Sequence, residues 1–272
     1  MRDCVIIKWG GSLITDKETM CTADHKTISS LANVAKQCLE ENLDLIIVHG
    51  AGSFGHLRAK YWRLNEGLIN SNEFTIQDDC ESQKQAVSIV RDEMLTLNRI
   101  VLESLQNLGL KVSTKPPHQW AKNTGSSFDG DIKNIFSDYQ ESICTTFGDV
   151  VNCDGDKKFG ILSGDDLVVR LCSEIPNVKR LVFAIGGVDG ILKKPPHLAQ
   201  PSDLIEEWTP RTNFEGLHNS AIDVTGGIGL KATRGSEVAD MGIEVIIVNG
   251  AHPERVYSAC IGESVIGTKI IT

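Results

Sequence analysis

The chain has 272 residues, 41% hydrophobic and 23% charged, with 27 Lys and Arg against 36 Asp and Glu for a formal net charge of −9. That length holds one large domain or two ordinary ones around an ample core, and the acidic balance argues against duplex DNA or long RNA as a partner. No apolar run approaches the roughly 20 residues of a membrane span, and the first strand begins without a visible cleavable leader, so a cytoplasmic protein is expected.

In chain order, Val5-Ile6-Ile7 reads as a buried strand over 4–9 that runs into Lys8-Trp9-Gly10-Gly11-Ser12. Ile28, Leu31, Ala32, Ala35, Cys38 and Leu39 then recur at helical spacing, with Asp24 as a plausible cap. Leu45-Ile46-Ile47-Val48 is a second strand over 44–49, delivered to Gly50-Ala51-Gly52-Ser53-Phe54-Gly55-His56. The stripe Val87, Val90, Met94, Leu97, Val101, Leu105 and Leu108 predicts a long helix near 73–108, for which core packing is the default and dimerisation the alternative. Further strands are expected over 110–113, 180–185, 244–248 and 265–271. Between them, 142–162 holds short β-like pieces about Asp154-Gly155-Asp156, read as a hairpin turn. Alternating strands and helices imply a mainly parallel sheet in an open α/β/α sandwich.

The pattern breaks near 173–178, which divides the chain into an N-terminal lobe, 1–175, and a C-terminal lobe, 176–272. Residues 193–210 form a long irregular loop. One echo links the halves: residues 45–51 (LIIVHGA) resemble residues 245–251 (VIIVNGA). The eight cysteines form no C-x-x-C pair and fit neither a zinc site nor a disulfide framework, so reduced thiols are expected.

A strand, a glycine turn and a helix present bare backbone N–H groups to an anion. Two such turns suggest two phosphates, or one phosphate chain held from two sides. Lys8 ends the first strand, Lys17 follows in the next loop, and His56 closes the second turn, all suited to that charge. Ser163-Gly164-Asp165-Asp166 precedes an apolar helical run; its carboxylates either cap the helix or orient lysines or magnesium. Ala184 to Gly190 (AIGGVDG) ends another strand in glycines, and Asp223 to Lys231 (DVTGGIGLK) is a third glycine-rich turn. The P-loop, the protein-kinase set and the dinucleotide fingerprint are all absent. Phosphoryl transfer needs chiefly positioning and charge neutralisation, and an acceptor that is already a phosphate needs no general base.

Residues 8–17 (KWGGSLITDK), 50–56 (GAGSFGH), 163–166 (SGDD), 188–190 (VDG) and 223–231 together resemble the amino acid kinase superfamily, and within it the isopentenyl phosphate kinases. The resemblance implies an N-terminal lobe that binds the phosphoryl acceptor, a C-terminal lobe that binds ATP with magnesium, and a homodimer. The acceptor would be isopentenyl phosphate, with dimethylallyl phosphate as a possible second. By that likeness Lys8, Lys17 and Lys231 stabilise the phosphoryl group in flight, Asp165 orients the lysines, and His56 holds the acceptor phosphate. Gly10, Gly11, Ala51, Gly52, Gly55 and Gly164 surround the acceptor; Gly186, Asp189, Gly190, Lys193, Gly226 and Gly227 join the lysines around ATP, and no side chain is assigned to metal. There are three departures from the pattern: Trp9 is larger than usual, Ala51 replaces a glycine and requires negative φ there, and Gly186-Gly187 replaces more polar residues. Phe74, Val87, Val90, Phe159 and Ile161 are candidates for an isoprenoid pocket or are ordinary core. Another small-molecule kinase of the same fold, such as a phosphonate kinase, is the alternative, and a non-catalytic binding protein is the third reading.

Overall fold

The computed structural model describes residues 2–16, 19–69, 79–212 and 227–272. The first half runs β1 (Cys4–Trp9), α1 (Gly11–Ile14), α2 (His25–Glu40), β2 (Asp44–His49), α3 (His56–Tyr61), α4 (Gln83–Gln106) and β3 (Val112–Thr114). It continues through α5 (Pro117–Trp120), α6 (Ile132–Ile135), β4 (Ile143–Phe147), β5 (Asp149–Asn152), β6 (Phe159–Leu162) and α7 (Gly164–Glu174). Then follow β7 (Val178–Ile185), β8 (Glu207–Trp208), α8 (Gly227–Ala239), β9 (Glu244–Asn249), α9 (Pro253–Ile261) and β10 (Gly267–Ile270).

Eight of these strands form one sheet in the order β3-β4-β2-β1-β7-β9-β10-β8. From β3 to β9 every neighbouring pair is parallel; β10 turns antiparallel on β9. β1 and β2 are buried along their whole length, as strands covered on both faces must be. The two related strands, β2 and β9, flank the central pair β1-β7, one on each side. Because β1 pairs with both β2 and β7, the sheet runs unbroken across position 175.

Side chains alternate between the two faces of a strand. Val5, Ile7 and Trp9 of β1 pack with α2, α4 and α9, whereas Cys4 and Ile6 pack with α7 and α8. Lys8 has the parity of Cys4 and Ile6, so its side chain faces α7. Trp9 fills the opposite layer and is 1% exposed. Alternation therefore separates these adjacent residues into one site group and one core group.

α2 starts where expected: Asp24 Oδ1 accepts from the backbone N of Thr27 at 2.9 Å. The long helix is shorter than its stripe suggests. α4 begins at Gln83, where the Ser82 hydroxyl accepts from Gln85 N, and ends at Gln106, just before Gly109 takes φ +78°. Residues 73–78 lie outside the described part. Val87, Val90, Met94, Leu97, Val101 and Leu105 are buried within the chain, so this stripe is core and not a surface for a second copy.

The expected hairpin is β5 and β6, paired antiparallel from Asp149↔Leu162 to Asn152↔Phe159. β4 was not separated from it in the sequence, yet it belongs to the main sheet between β2 and β3. Its sequence ICTTF lacks a continuous apolar run because Thr145 and Thr146 are buried with their hydroxyls donated to the Ser113 and Lys115 carbonyls. The loop after β7 contributes the two-residue edge strand β8. All eight cysteines are free; only Cys21 is exposed and Cys153 half-buried.

Replacing Asp24 with Ala removes the α2 cap and should lower the unfolding free energy by about 1 kcal/mol. Urea denaturation of the two proteins checks this; equal midpoints would mean that the cap is not needed.

Candidate active site

Parallel sheets bind ligands beyond the carboxyl ends of their strands, at the point where chain connections diverge. Here that point is between β1 and β7. β1, β2, β4, β7 and β9 are each followed by glycine at 10, 50, 148, 186 and 250. Four of these glycines hand their N–H to a neighbouring strand: Gly10 to Ala184 O, Gly50 to Trp9 O, Gly148 to His49 O and Gly250 to Ile185 O. A side chain on Gly50 or on Gly11 would collide with the adjoining turn. A Cβ on Gly50 would lie 2.6 Å from Gly11 N, and one on Gly11 would lie 2.2 Å from Gly52 N. The two phosphate-type turns are thus in direct backbone contact.

Over this edge lies a cavity of about 570 Å³. It is lined by Lys8, Gly10, Gly11, Ala51, Gly52, Gly55, His56, Gly164, Asp165, Gly186, Gly227 and Lys231, all named from the sequence. Ala51 is absent from the residues with positive φ, which removes the conflict its side chain posed, while Gly52 takes φ +54°. A second wall is apolar: Leu57 and Ala59 from α3, Val90 and Met94 from α4, Val150 and Ile161 from the hairpin. Of the proposed apolar candidates, Val90 and Ile161 reach the cavity, Val87 and Phe159 are core, and Phe74 lies outside the described residues.

The charged centre is a carboxylate between two ammoniums. Lys8 Nζ is 3.0 Å from Asp165 Oδ1, and Lys231 Nζ donates to Asp165 Oδ2 at 3.1 Å. Lys8 comes from β1, Asp165 from the first turn of α7 and Lys231 from α8, so the three meet only in the folded chain. Burial by itself would raise the Asp165 carboxyl; Lys231 and then Lys8 outweigh it and hold it below its ordinary value. The group carries one excess positive charge and faces the cavity. A buried ion pair is poor evidence of added stability; its value here is a fixed field for an anion.

The α7 start separates its two acids. Ser163 is the cap, accepting from Asp166 N at 3.0 Å and donating to Asp166 Oδ2 at 2.8 Å. Asp166 also accepts from Arg234 Nε at 2.8 Å, which ties α7 to α8 one turn beyond Lys231. Arg234 was missed in the sequence, although its spacing from Lys231 places it on the same helical face. A Cβ on Gly164 would lie 3.3 Å from Val48 Cγ1, a tight contact, and 3.4 Å from Lys8 Cε, an ordinary one.

Three residues assigned to the nucleotide do not line this cavity. Asp189 accepts from Asn249 Nδ2 at 3.0 Å and Arg255 at 2.7 Å, Gly190 packs against Thr268, and Lys193 is exposed. Lys17 and Gly226 lie outside the described residues. No cluster of three His, Cys, Asp or Glu suited to a metal occurs among the described residues.

His49 was also missed, being the polar end of an apolar strand. Its parity directs it to the α4 face, where Nε2 lies 3.2 Å from Asn98 Oδ1 and Nδ1 lies 3.1 Å from Gly50 O. The ring stacks on Phe147 with centroids 5.1 Å apart. Burial, the largest influence, lowers its pKa from 6.5 to about 4, so a neutral ring braces the second glycine turn at pH 7.

The sequence profile of the amino acid kinase family matches residues 3–249. An isopentenyl phosphate kinase from Thermoplasma acidophilum is 31% identical over 269 residues, covering 98% of this chain and 99% of the relative. One from Methanothermobacter thermautotrophicus is 29% identical, covering 98% of both. An X-ray structure of isopentenyl phosphate kinase superposes with a TM-score of 0.79 at 26% identity, covering 98% of this chain and 99% of the other.

The unfolded chain takes up the His49 proton below pH 6.5, the folded chain only below about 4. Its contribution to stability is therefore present above that window and lost as pH falls through it. The unfolding free energy of the wild type should fall more steeply across the window than that of His49→Gln, by up to about 3 kcal/mol. Urea titrations at stepped pH read this; parallel profiles would show that the folded ring is not held neutral.

Proposed function

The chain belongs to the amino acid kinase family, and on that premise we propose that it transfers the γ-phosphate of ATP to isopentenyl phosphate, giving isopentenyl diphosphate and ADP. The observation that carries this reading is the Lys8–Asp165–Lys231 cluster, set beside two touching glycine turns in a cavity with one apolar wall. The names of the similar proteins support the choice of acceptor.

In this mechanism the acceptor phosphate lies against the Gly50–Gly52 turn and His56, with its five-carbon tail along Val90, Met94, Val150 and Ile161. The phosphates of ATP lie along the start of α8 and reach Gly10-Gly11, the turn at which they meet the acceptor. The transferring group passes between the turns, where Lys8 and Lys231 oppose its negative charge and Asp165 fixes their positions. The nucleophile is a phosphate oxygen, already ionised, so the absence of a general base among the named residues is consistent with the chemistry. His56 can donate to an acceptor oxygen throughout the transfer.

Magnesium enters as the counter-ion of ATP. The side chains described do not offer it a cage, since both Asp165 oxygens face lysines, so the ion would be carried in on the nucleotide and would supply charge neutralisation to its phosphates. Lys17 keeps the role that the sequence resemblance gives it. We also propose residues 1–175 as the acceptor half, residues 176–272 as the nucleotide half, and a homodimer formed through a surface other than the buried stripe of α4.

ATP consumption with isopentenyl phosphate, dimethylallyl phosphate, a phosphonate, acetylglutamate and UMP should give the highest kcat/KM for isopentenyl phosphate. Preference for a non-isoprenoid acceptor would overturn the assignment. His56→Ala should lower kcat/KM for the acceptor by at least ~10-fold, the scale of a lost charge-assisted hydrogen bond. An unchanged value would remove His56 from the site.

A further inference from the structure

We propose that Thr15 is a positioning residue: its hydroxyl fastens the two glycine turns together and so sets the separation of the two phosphates between which transfer occurs. The inference rests on the kinase reading above for its catalytic consequence, and on geometry alone for the fastening.

A threonine hydroxyl has one proton to donate and lone pairs that accept. Thr15 uses both across the junction. Its Oγ1 donates to Gly11 O at 2.9 Å in the first turn and accepts from Ser53 N at 3.0 Å in the second. Thr15 and Ser53 are each 5% exposed, which leaves water little access to either backbone group. The neighbouring geometry is built around that hydroxyl. A Cβ on Gly52 would lie 2.0 Å from Thr15 Oγ1, so close approach as well as positive φ demands glycine there.

The turns have another link at their base, Gly50 N to Trp9 O at 2.9 Å. That bond leaves the outer edge, Gly52 and Ser53, to be held separately. Thr15 holds it, and the contact extends outward: Ser53 exchanges hydrogen bonds with Thr22 and accepts from Cys21 N through its carbonyl. Thr15 in turn bridges to Ala23. The first turn, the second turn and the segment that returns toward α2 thus converge on one side chain that lines the cavity.

Each substrate alone depends on the turn it lies against, but transfer depends on the distance between turns. Misplacement by about 1 Å can cost on the order of 100-fold in rate. Loosening the fastener should therefore act on kcat more than on either KM.

Thr15→Val is nearly isosteric and removes the hydroxyl; Thr15→Ser restores it. Steady-state kinetics with ATP and isopentenyl phosphate should show kcat down ~10- to 100-fold for T15V, both KM values within ~3-fold, and T15S close to wild type. Hydrogen exchange at the Ser53 amide should quicken in T15V and not in T15S. Wild-type kcat in T15V, or unchanged Ser53 exchange, would overturn the proposal. An inactive wild-type chain would instead sink the kinase reading, and the Ser53 amide would still report whether Thr15 fastens the turns.

Discussion

A buried carboxylate cannot remain ionised alone, and two buried ammoniums cannot sit close without a counter-charge. Asp165 between Lys8 and Lys231 meets both conditions at once. The constraint reaches through the whole architecture. β1 must present Lys8 to the α7 face, α7 must begin where its second residue points back at β1, and α8 must deliver Lys231 from the far side. The cap Ser163 and the Asp166–Arg234 bond hold α7 and α8 in that relation. What the cluster offers in return is two ammoniums held around one carboxylate in the wall of a cavity, already oriented before any anion arrives.

Backbone contact supplies the other half of the site. Glycine follows five strands, and at Gly11, Gly50 and Gly52 the space a side chain would occupy is taken by the neighbouring turn. This is a packing condition before it is a binding one. Turns in contact can surround two phosphates at the short separation that transfer requires, whereas turns separated by side chains could bind the same groups and hold them too far apart. Polar side chains then brace the turns from beneath: the His49 ring against Gly50 O, and the Thr15 hydroxyl between Gly11 and Ser53.

Much of this was legible in the amino-acid order because the signals are local. Strands β1, β2, β7 and β9 each hold an unbroken apolar run, at 4–7, 45–48, 181–185 and 245–248, α2 carries its cap three residues before the N–H that the cap binds, and the glycine turns stand next to the strands they terminate. The weaker readings failed for physical reasons. β4 buries two threonines whose hydroxyls are satisfied by β3 and Lys115, so its sequence does not read as a core strand. The stripe from 87 to 108 continues past the helix because Leu108 packs against the same core after the helix has ended.

The sequence by itself determined the parts: a parallel α/β sandwich, glycine turns at strand ends, and three lysines and an acid of the right type for phosphate chemistry. Periodicity and turn stereochemistry act over a few residues, and that range suffices for such parts. Only the tertiary structure decided which parts meet. Lys8 lies more than half the chain away from both Asp165 and Lys231, and the three come together through sheet order and helix docking. Thr15 gains its significance from the Ser53 amide of another turn and His49 from the Asn98 side chain of α4, and a hydrogen bond of that kind leaves no local signature in the residue that makes it.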